Sequence, residues 1–249
     1  MADAPYNIVL ILTDQHRADH LSCYGNPVLS TPHLDSLATR GLRCTRCYVA
    51  NPSCMPNRAT LLTGCLPSLH GVRYNGIPLH AQTETFVQTL RQAGYHTALI
   101  GKSDAHLRRP PTEQDQGEVE RSQPYYGFDE VYVSTGYGDT VWGHYWQWLT
   151  TRHPQPHTLR GAANALPLDR TVSLPQAWRT RVPEELYPTT YITEQTVQYL
   201  ERHTALARTA PFFLYCSFPD PHHPSPFNMR PNPAKLSPRL RDYPSLTWR

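Results

Sequence analysis

The segment 51–64, NPSCMPNRATLLTG, holds a cysteine, a proline and an arginine at a spacing that suits chemistry on an anion. Pro56 is favoured at the first position of a helix, because its fixed φ is helical and its missing N–H would be unpaired there anyway. Gly64 is a typical helix stop. The pattern therefore predicts a helix that begins near Pro56, with Cys54 at or just before its N-terminus.

Arg58 follows Cys54 by four residues, so its side chain is expected to return over the first turn and face the thiol. The free N–H groups and the dipole of a helix N-terminus also favour negative charge. A sulfur atom or its oxidised product, a cation and a helix N-terminus would then meet at one point, which suits an anionic transition state. The alternative is a buried structural cysteine, which is common for free thiols.

Three short runs rich in apolar residues are predicted to be buried strands, and a polar residue closely follows each of them. The runs and the polar residues are Asn7–Thr13 with Asp14, Tyr95–Ile100 with Lys102, and Pro211–Phe218 with His222. Because open α/β sheets bind ligands beyond the carboxyl ends of their strands, we expect these side chains to lie along one edge with Cys54. Taken singly, each polar residue is also typical of a turn or a surface loop.

The string C-x-P-x-R-x-x-L-x-x-G resembles the signature of the type I sulfatases of the alkaline-phosphatase superfamily. Its fixed positions are Cys54, Pro56, Arg58, Leu61 and Gly64. In that family the formylglycine-generating enzyme converts the cysteine to formylglycine, an aldehyde nucleophile. The resemblance implies this modification of Cys54, a small-molecule sulfate ester as the substrate, and Arg58 holding the developing charge. It covers nearly all of this chain but only about half of a typical member, so it indicates the N-terminal portion (1–249) of a truncated catalytic domain.

The same resemblance implies a divalent cation, Ca²⁺ first and Mn²⁺ second, held by Asp14, Gln15 and residue 54. Most members have two consecutive acids at the first two positions, and Gln15 is similar to the phosphonate monoester hydrolase subgroup. Lys102 matches the lysine that binds sulfate. Two residues later the family usually has a histidine, whereas this chain has Asp104.

Two further residues have roles implied by the family. Asn75 aligns with an asparagine that hydrogen-bonds the substrate's oxyanion, although Asn75-Gly76 is also an ordinary turn pair. His222 occupies the position of a histidine on the leaving-group side of the substrate, where it would protonate the departing oxygen.

Alternation of predicted strands and helices indicates an α/β fold with a mainly parallel sheet flanked by helices. Residues from about 150 to 188 mix Pro, Arg and Leu with weak periodicity, and we interpret them as a loop-rich insertion. The aromatic segment 136–149 would either wall a pocket or fill the core, and the core is favoured.

Composition bounds the function classes. Hydrophobic residues make up 39% and charged residues 17% of the chain, as in globular proteins. The net charge of +3 indicates neither a nucleic-acid nor a membrane partner. The chain has no apolar run of about 20 residues and no signal-peptide pattern at its start, so a cytoplasmic location is expected.

The sequence therefore predicts a sulfuric ester hydrolase. The alternatives are a phosphonate monoester or phosphodiester hydrolase with the same machinery, an inactive truncated fragment, and a thiol or zinc module built on Cys44 and Cys47. We further expect that the 249-residue chain alone is not a competent sulfatase, because it offers few ligands for a hard cation. One strand of its sheet should also be left as an unpaired edge.

Overall fold

A five-stranded sheet forms the centre of the molecule in the computed structural model, which describes residues 6–104, 125–167, 177–205, 210–223 and 225–227. Its strands lie in the order β1-β6-β2-β3-β4. They are β1 (Ile8–Thr13), β2 (His96–Lys102), β3 (Glu130–Thr135), β4 (Trp142–Gly143) and β6 (Phe212–Phe218). The first three pairings are parallel, and β4 runs antiparallel to β3. A separate parallel pair joins β5 (Ala177–Arg179) to β7 (Ser225–Phe227).

The described residues contain six α-helices. They are α1 (Pro32–Arg40), α2 (Cys54–Thr63), α3 (Pro67–His70), α4 (Phe86–Gln92), α5 (His144–Arg152) and α6 (Pro188–Ala205). None of them is both long and apolar enough to span a membrane. The mainly parallel sheet flanked by helices confirms the predicted fold class.

Alternating side chains of the central strands build two cores, one on each face of the sheet. Leu99 and Phe213 pack on the face covered by α2 and α4, whereas Ile100 and Leu214 pack on the face covered by α5 and α6. This alternation follows from the two-residue period of a strand, which sends successive side chains to opposite faces. The apolar runs in β2 and β6 are continuous because both of their faces are buried.

The prediction that β1 is buried on both faces is wrong. Ile11 is 58% exposed and Val9 is 46% exposed, because β1 lies at the edge of the sheet and pairs only with β6 among the described residues. Within the described residues, β1 is thus an edge strand of the kind that the sequence leads us to expect. Leu34 and Leu37 of α1 are exposed as well, and that helix buries none of its residues.

Loop regions agree only in part with the sequence. The sequence also predicts a short strand or an extended segment over residues 42–49, and the structure has no strand there. In the region from 150 to 188, the described residues hold the end of α5, short 3₁₀ helices and β5. The polar, proline-containing composition of residues 108–123 predicts an exposed loop, but this segment lies outside the described residues. The polar, proline-rich segment 228–249 lies outside them as well.

Gly101 lets the two central strands approach just before the site. Its φ is +102°, and an added Cβ would lie 1.9 Å from the Ser217 carbonyl oxygen of β6. No other residue type fits this close approach at positive φ. Since Lys102 follows directly, the position of its side chain depends on this glycine.

Candidate active site

The candidate site lies at the carboxyl edge of the sheet, where the four parallel strands end. Asp14 follows β1, Lys102 ends β2, Tyr137 lies just past β3 and His222 lies in the loop after β6. Ion pairs and ring contacts join these side chains, and the N-terminus of α2 brings Cys54 to the same point. The predicted clustering of Asp14, Cys54, Lys102 and His222 is confirmed, whereas their chemical roles stay predictions.

Cys54 is the first residue of α2, and its thiol is half-buried. Ser53 is the N-cap residue, and Gly64 ends the helix in the left-handed conformation with φ +69°. The predicted position of the cysteine at a helix N-terminus is therefore confirmed. Pro56 is the third helical residue and not the first, so the helix begins two residues earlier than predicted.

Asn75 ties a neighbouring turn to this helix start. Its Oδ1 accepts hydrogen bonds from the backbone N–H of Met55 at 3.0 Å and from the Cys54 Sγ at 3.4 Å. The Asn-Gly pair does form a turn. The turn thus delivers the Asn75 amide to the site, while its expected contact with a substrate oxyanion stays a prediction.

Arg58 is buried and anchored to the ends of the two central strands. Its Nη1 donates to the Lys102 carbonyl oxygen at 2.6 Å and to the Ser217 Oγ at 2.8 Å. Burial alone would lower the pKa of Arg58, but Tyr215, Asp104 and Asp14 raise it above its ordinary value. Arg58 is therefore a fixed cation beneath the cysteine.

Two cations and two carboxylates meet beside Cys54. The Lys102 ammonium contacts Asp14 Oδ2 and lies 3.1 Å from Asp104 Oδ2. The Arg58 guanidinium lies 3.6 Å from Asp14 and 3.9 Å from Asp104. These side chains are at most 11% exposed, so water solvates them little. The opposite charges therefore stabilise one another in place of solvent.

The donor set fits a hard divalent cation. Ligand atoms of Asp14, Cys54 and Asp104 all lie within 4.8 Å of one another, and carboxylate oxygens are what Ca²⁺ and Mn²⁺ prefer. Sequence reasoning noted Asp104 only as a departure from the family's histidine and missed it as a candidate ligand. The signal was its position two residues after Lys102, at the same strand end.

Gln15 is placed beside Asp14, but its side chain turns to the loop after β6. Its Oε1 accepts a hydrogen bond from the His223 N–H at 3.1 Å and lies 2.6 Å from the Nδ1 of that residue. Its expected role as a metal ligand stays a prediction.

Tyr137 is the second residue that sequence reasoning missed. Its ring stacks on His222 with centroids 3.9 Å apart and lies 3.9 Å from the Lys102 Nζ. Its hydroxyl is 3.5 Å from the Cys54 Sγ. The aromatic segment that contains it is divided, because Tyr145 is buried in the core as favoured while Tyr137 lines the site. The strand-end rule that identified Lys102 also applies to Tyr137.

The loop after β6 adds the imidazole of His222 and the carboxyl group of Asp220, both half-buried. Burial lowers the pKa of His222, and the nearby Lys102 charge lowers it further. Burial raises the pKa of Asp220, which accepts a hydrogen bond from the Thr189 hydroxyl at 2.5 Å. The Asp220 carbonyl oxygen accepts from the Asp14 N–H at 3.2 Å, so this loop also holds the carboxylate at the end of β1.

Cys44 and Cys47 are exposed free thiols. Within the part of the chain that the structure describes, neither belongs to a group of three side chains that could hold a metal ion. The geometry gives no support to a zinc module at this pair.

Fold and site together define an α/β protein in which a cysteine, two cations and two carboxylates meet at the carboxyl edge of the sheet. A family model described as Sulfatase matches residues 6–239. The arylsulfatase of Clostridium perfringens (strain 13 / Type A) is 30% identical over 232 residues, which cover 88% of this chain and 44% of that protein. The chain belongs to the sulfatase family.

Solved structures agree with this assignment. The phosphonate monoester hydrolase of Agrobacterium radiobacter matches with a TM-score of 0.67 at 25% identity, covering 94% of this chain and 44% of that one. A protein solved in complex with its substrate D-glucosamine-2-N,6-O-disulfate matches with a TM-score of 0.57 at 25% identity, covering 87% of this chain and 35% of that one. The chain thus spans less than half of the length of these relatives.

Proposed function

We propose that this chain carries the nucleophile side of a sulfuric ester hydrolase in which Cys54 is the precursor of formylglycine. The single observation that supports it best is the convergence on Cys54 of Asn75, Arg58 and Lys102 at a helix N-terminus. Arg58 and Lys102 are cations, and the free N–H groups of a helix N-terminus also favour negative charge, so these groups suit an anionic transition state. The formylglycine-generating enzyme is the maturation partner, and a small-molecule sulfate ester is the substrate.

An aldehyde at position 54 supplies, once hydrated, a hydroxyl nucleophile for the sulfur atom. Asp14, Asp104 and residue 54 would hold a divalent cation, which supplies positive charge beside the sulfate oxygens. Arg58 keeps its place through the Lys102 carbonyl and Ser217, so it meets the charge that develops without reorganising. Lys102 adds the second cation of the sulfate-binding pair.

His222 is assigned to the leaving-group side. His222 has to be an imidazolium to protonate the departing oxygen. Because its pKa is lowered, the imidazolium is the minority form at neutral pH, but it is also a stronger acid. This assignment matters most for esters with poor leaving groups, because good ones depart without a proton.

A phosphonate monoester hydrolase is the second candidate function. Gln15 in place of an acid favours it, and so does the likeness to the Agrobacterium radiobacter enzyme. The same nucleophile and cations serve either electrophile. The match to the sulfatase family model over most of the chain favours the sulfate ester.

Side-by-side kinetics on an aryl sulfate and the matching aryl phosphonate monoester test the choice. The protein is the longest natural chain that contains these 249 residues, coexpressed with the formylglycine-generating enzyme. We expect a higher kcat/KM for the sulfate, and a loss of several orders of magnitude in Cys54→Ala. Cys65→Ala is the control, because Cys65 lies beyond the end of α2 and should matter little. Activity that survives Cys54→Ala would overturn the proposal, and faster turnover of the phosphonate would establish the second candidate.

A further inference from the structure

Tyr137 lies in a tight loop that fixes its place relative to the strand ends. The glycines on both sides have positive φ, +99° at Gly136 and +53° at Gly138. Thr140 donates its N–H at 3.0 Å and its hydroxyl at 2.8 Å to the Tyr137 carbonyl oxygen. The two glycines with positive φ and the carbonyl group that accepts two hydrogen bonds fix the backbone path of this loop. The loop therefore holds Tyr137 in one position.

The ring of Tyr137 contacts two groups that act on different ends of the proposed substrate. Lys102 Nζ lies 3.9 Å from the ring centroid, as in a cation–π contact, and belongs to the pair that meets the sulfate charge. The imidazole of His222 stacks on the ring at 3.9 Å with an interplanar angle of 19°. One rigid ring therefore sets the spacing between the two groups.

Lys102 and His222 differ in how firmly the rest of the molecule holds them. Lys102 is fully buried and also contacts Asp14 and Asp104. His222 is only half-buried, and its other ring contact is with the adjacent His223 in the same loop. The His222 Nδ1 also contacts the carbonyl oxygen of His223, which belongs to the same loop. Among the described residues, the stacking on Tyr137 is thus the ring contact that ties His222 to the rigid sheet edge.

We propose that Tyr137 is a positioning residue for the reaction, which holds the His222 imidazole at a fixed distance from Lys102 and residue 54. This inference rests on the proposed function, because it concerns the proton delivered to the leaving oxygen. The proton passes from the His222 imidazolium to the ester oxygen as the sulfur–oxygen bond breaks, and Tyr137 neither gains nor loses one. The ring carries the effect, and the hydroxyl group is secondary.

The test compares Tyr137→Phe, which keeps the ring, with Tyr137→Leu, which removes it, in the same longest natural chain. We expect Tyr137→Leu to lower kcat on phenyl sulfate by about 10- to 100-fold, part of what a general acid contributes. The loss should be clearly smaller on 4-nitrophenyl sulfate, because its leaving group needs no proton. Tyr137→Phe should stay within about threefold on both esters. Tyr132→Leu is the control, since Tyr132 is a half-buried tyrosine of β3 whose hydroxyl bonds Glu130, away from the site.

A double-mutant cycle separates positioning from loss of fold. In a His222→Ala background, Tyr137→Leu should cost little more, because the group it positions is already gone. Equal losses on both esters, or fully additive losses with His222→Ala, would overturn the inference. A Tyr137→Phe variant as damaged as Tyr137→Leu would also overturn it, because the hydroxyl would then be the essential part.

An NMR experiment tests the contact between Tyr137 and His222 independently of enzyme activity. It therefore distinguishes failure of this inference from failure of the proposed function. The ring current of Tyr137 should shift the His222 ring protons in a histidine-labelled NMR spectrum, with His222→Asn used for assignment. We expect the shift to persist in Tyr137→Phe and to disappear in Tyr137→Leu. If wild type hydrolyses no sulfate ester but the shift behaves as expected, the proposed function fails and the contact stands. If the wild type is active and the His222 signals are the same in all three proteins, the inference fails and the function stands.

Discussion

Six cysteines occur in the chain, and local chemistry singles out one of them. Only Cys54 has proline at the second and arginine at the fourth following position, and only it begins a helix beside two buried cations. Cys65 lies just past the same helix without that arrangement. At the scale of the residue, the identity of the neighbours therefore decides which thiol is the candidate nucleophile.

Arg58 provides a prediction about stability at the same scale. Arg58→Lys should reduce the free energy of unfolding by about 2–4 kcal/mol, because a lysine cannot reproduce the guanidinium contacts to Ser217, the Lys102 carbonyl and the buried carboxylates. Urea unfolding followed by circular dichroism measures the change. Arg202→Lys is the matched control, since Arg202 is 53% exposed in its pair with Glu130 and should change stability by less than about 0.5 kcal/mol. Equal effects in the two variants would contradict the assignment of Arg58 as a buried anchor.

At the scale of the element, Gly101 couples strand packing to the site. Gly101→Ala should reduce the free energy of unfolding by about 3 kcal/mol or more, because the new Cβ collides with the β6 backbone at positive φ. Gly25→Ala is the control that separates the cost of the positive φ from the cost of the steric collision. Gly25 also has a positive φ, +91°, but no atom lies within 4 Å of an added Cβ. It should cost only about 1 kcal/mol. Thermal unfolding of both variants is the measurement, and a Gly101→Ala protein as stable as Gly25→Ala would contradict the described β2–β6 approach.

Asp129 links the start of β3 to β2 and makes a pH-dependent contribution. Burial alone would raise its pKa, but hydrogen bonds from the Thr97 backbone and side chain and from Arg91 hold the pKa below its usual range. A lowered folded pKa means that the stabilisation is present above the unfolded pKa and is lost as the pH falls through the folded pKa, below about pH 4. Asp129→Asn should therefore cost about 1 kcal/mol at pH 7 and clearly less at pH 3. Urea unfolding at both pH values checks this, and an equal cost at both would contradict it.

The sequence predicted the central elements well because their patterns are local. The buried runs of β2 and β6 and the helix at Cys54 depend on neighbours along the chain. The burial of β1 was predicted wrongly. A run of apolar residues is typical of a central strand, but the run itself does not indicate whether another strand pairs with its second edge. Tyr137 was missed because it lies in a segment rich in aromatic residues, and such a segment is typical of the hydrophobic core. Only the tertiary structure shows that Tyr137 lines the site whereas Tyr145 is in the core.

At the scale of the whole molecule, the chain spans 44% of the Clostridium perfringens relative and exposes the apolar edge strand β1. Within the described residues, Asp14, Asp104 and Cys54 form the group that could hold a metal ion, whereas a hard cation takes about six oxygen ligands. We therefore predict that the 249-residue chain alone binds Ca²⁺ or Mn²⁺ weakly and turns over aryl sulfate poorly.

Calorimetric titration of either ion into the purified 249-residue chain measures this affinity, with an aryl-sulfate assay on the same sample. Asp104→Asn should weaken any binding that is seen, and Asp129→Asn, remote from the site, should not. Micromolar affinity together with turnover would contradict the prediction. Binding that appears only in a longer natural chain would support it.

The central claim is that an aldehyde derived from Cys54 is the nucleophile, and one measurement tests it most directly. Preparations with different aldehyde contents are obtained by varying coexpression of the formylglycine-generating enzyme in the longest natural chain. For each preparation, aryl-sulfate turnover is plotted against the fraction of aldehyde at residue 54 determined by peptide mass spectrometry. We predict a straight line through the origin. Turnover that is independent of the aldehyde fraction, or that persists where position 54 is entirely cysteine, would contradict the account.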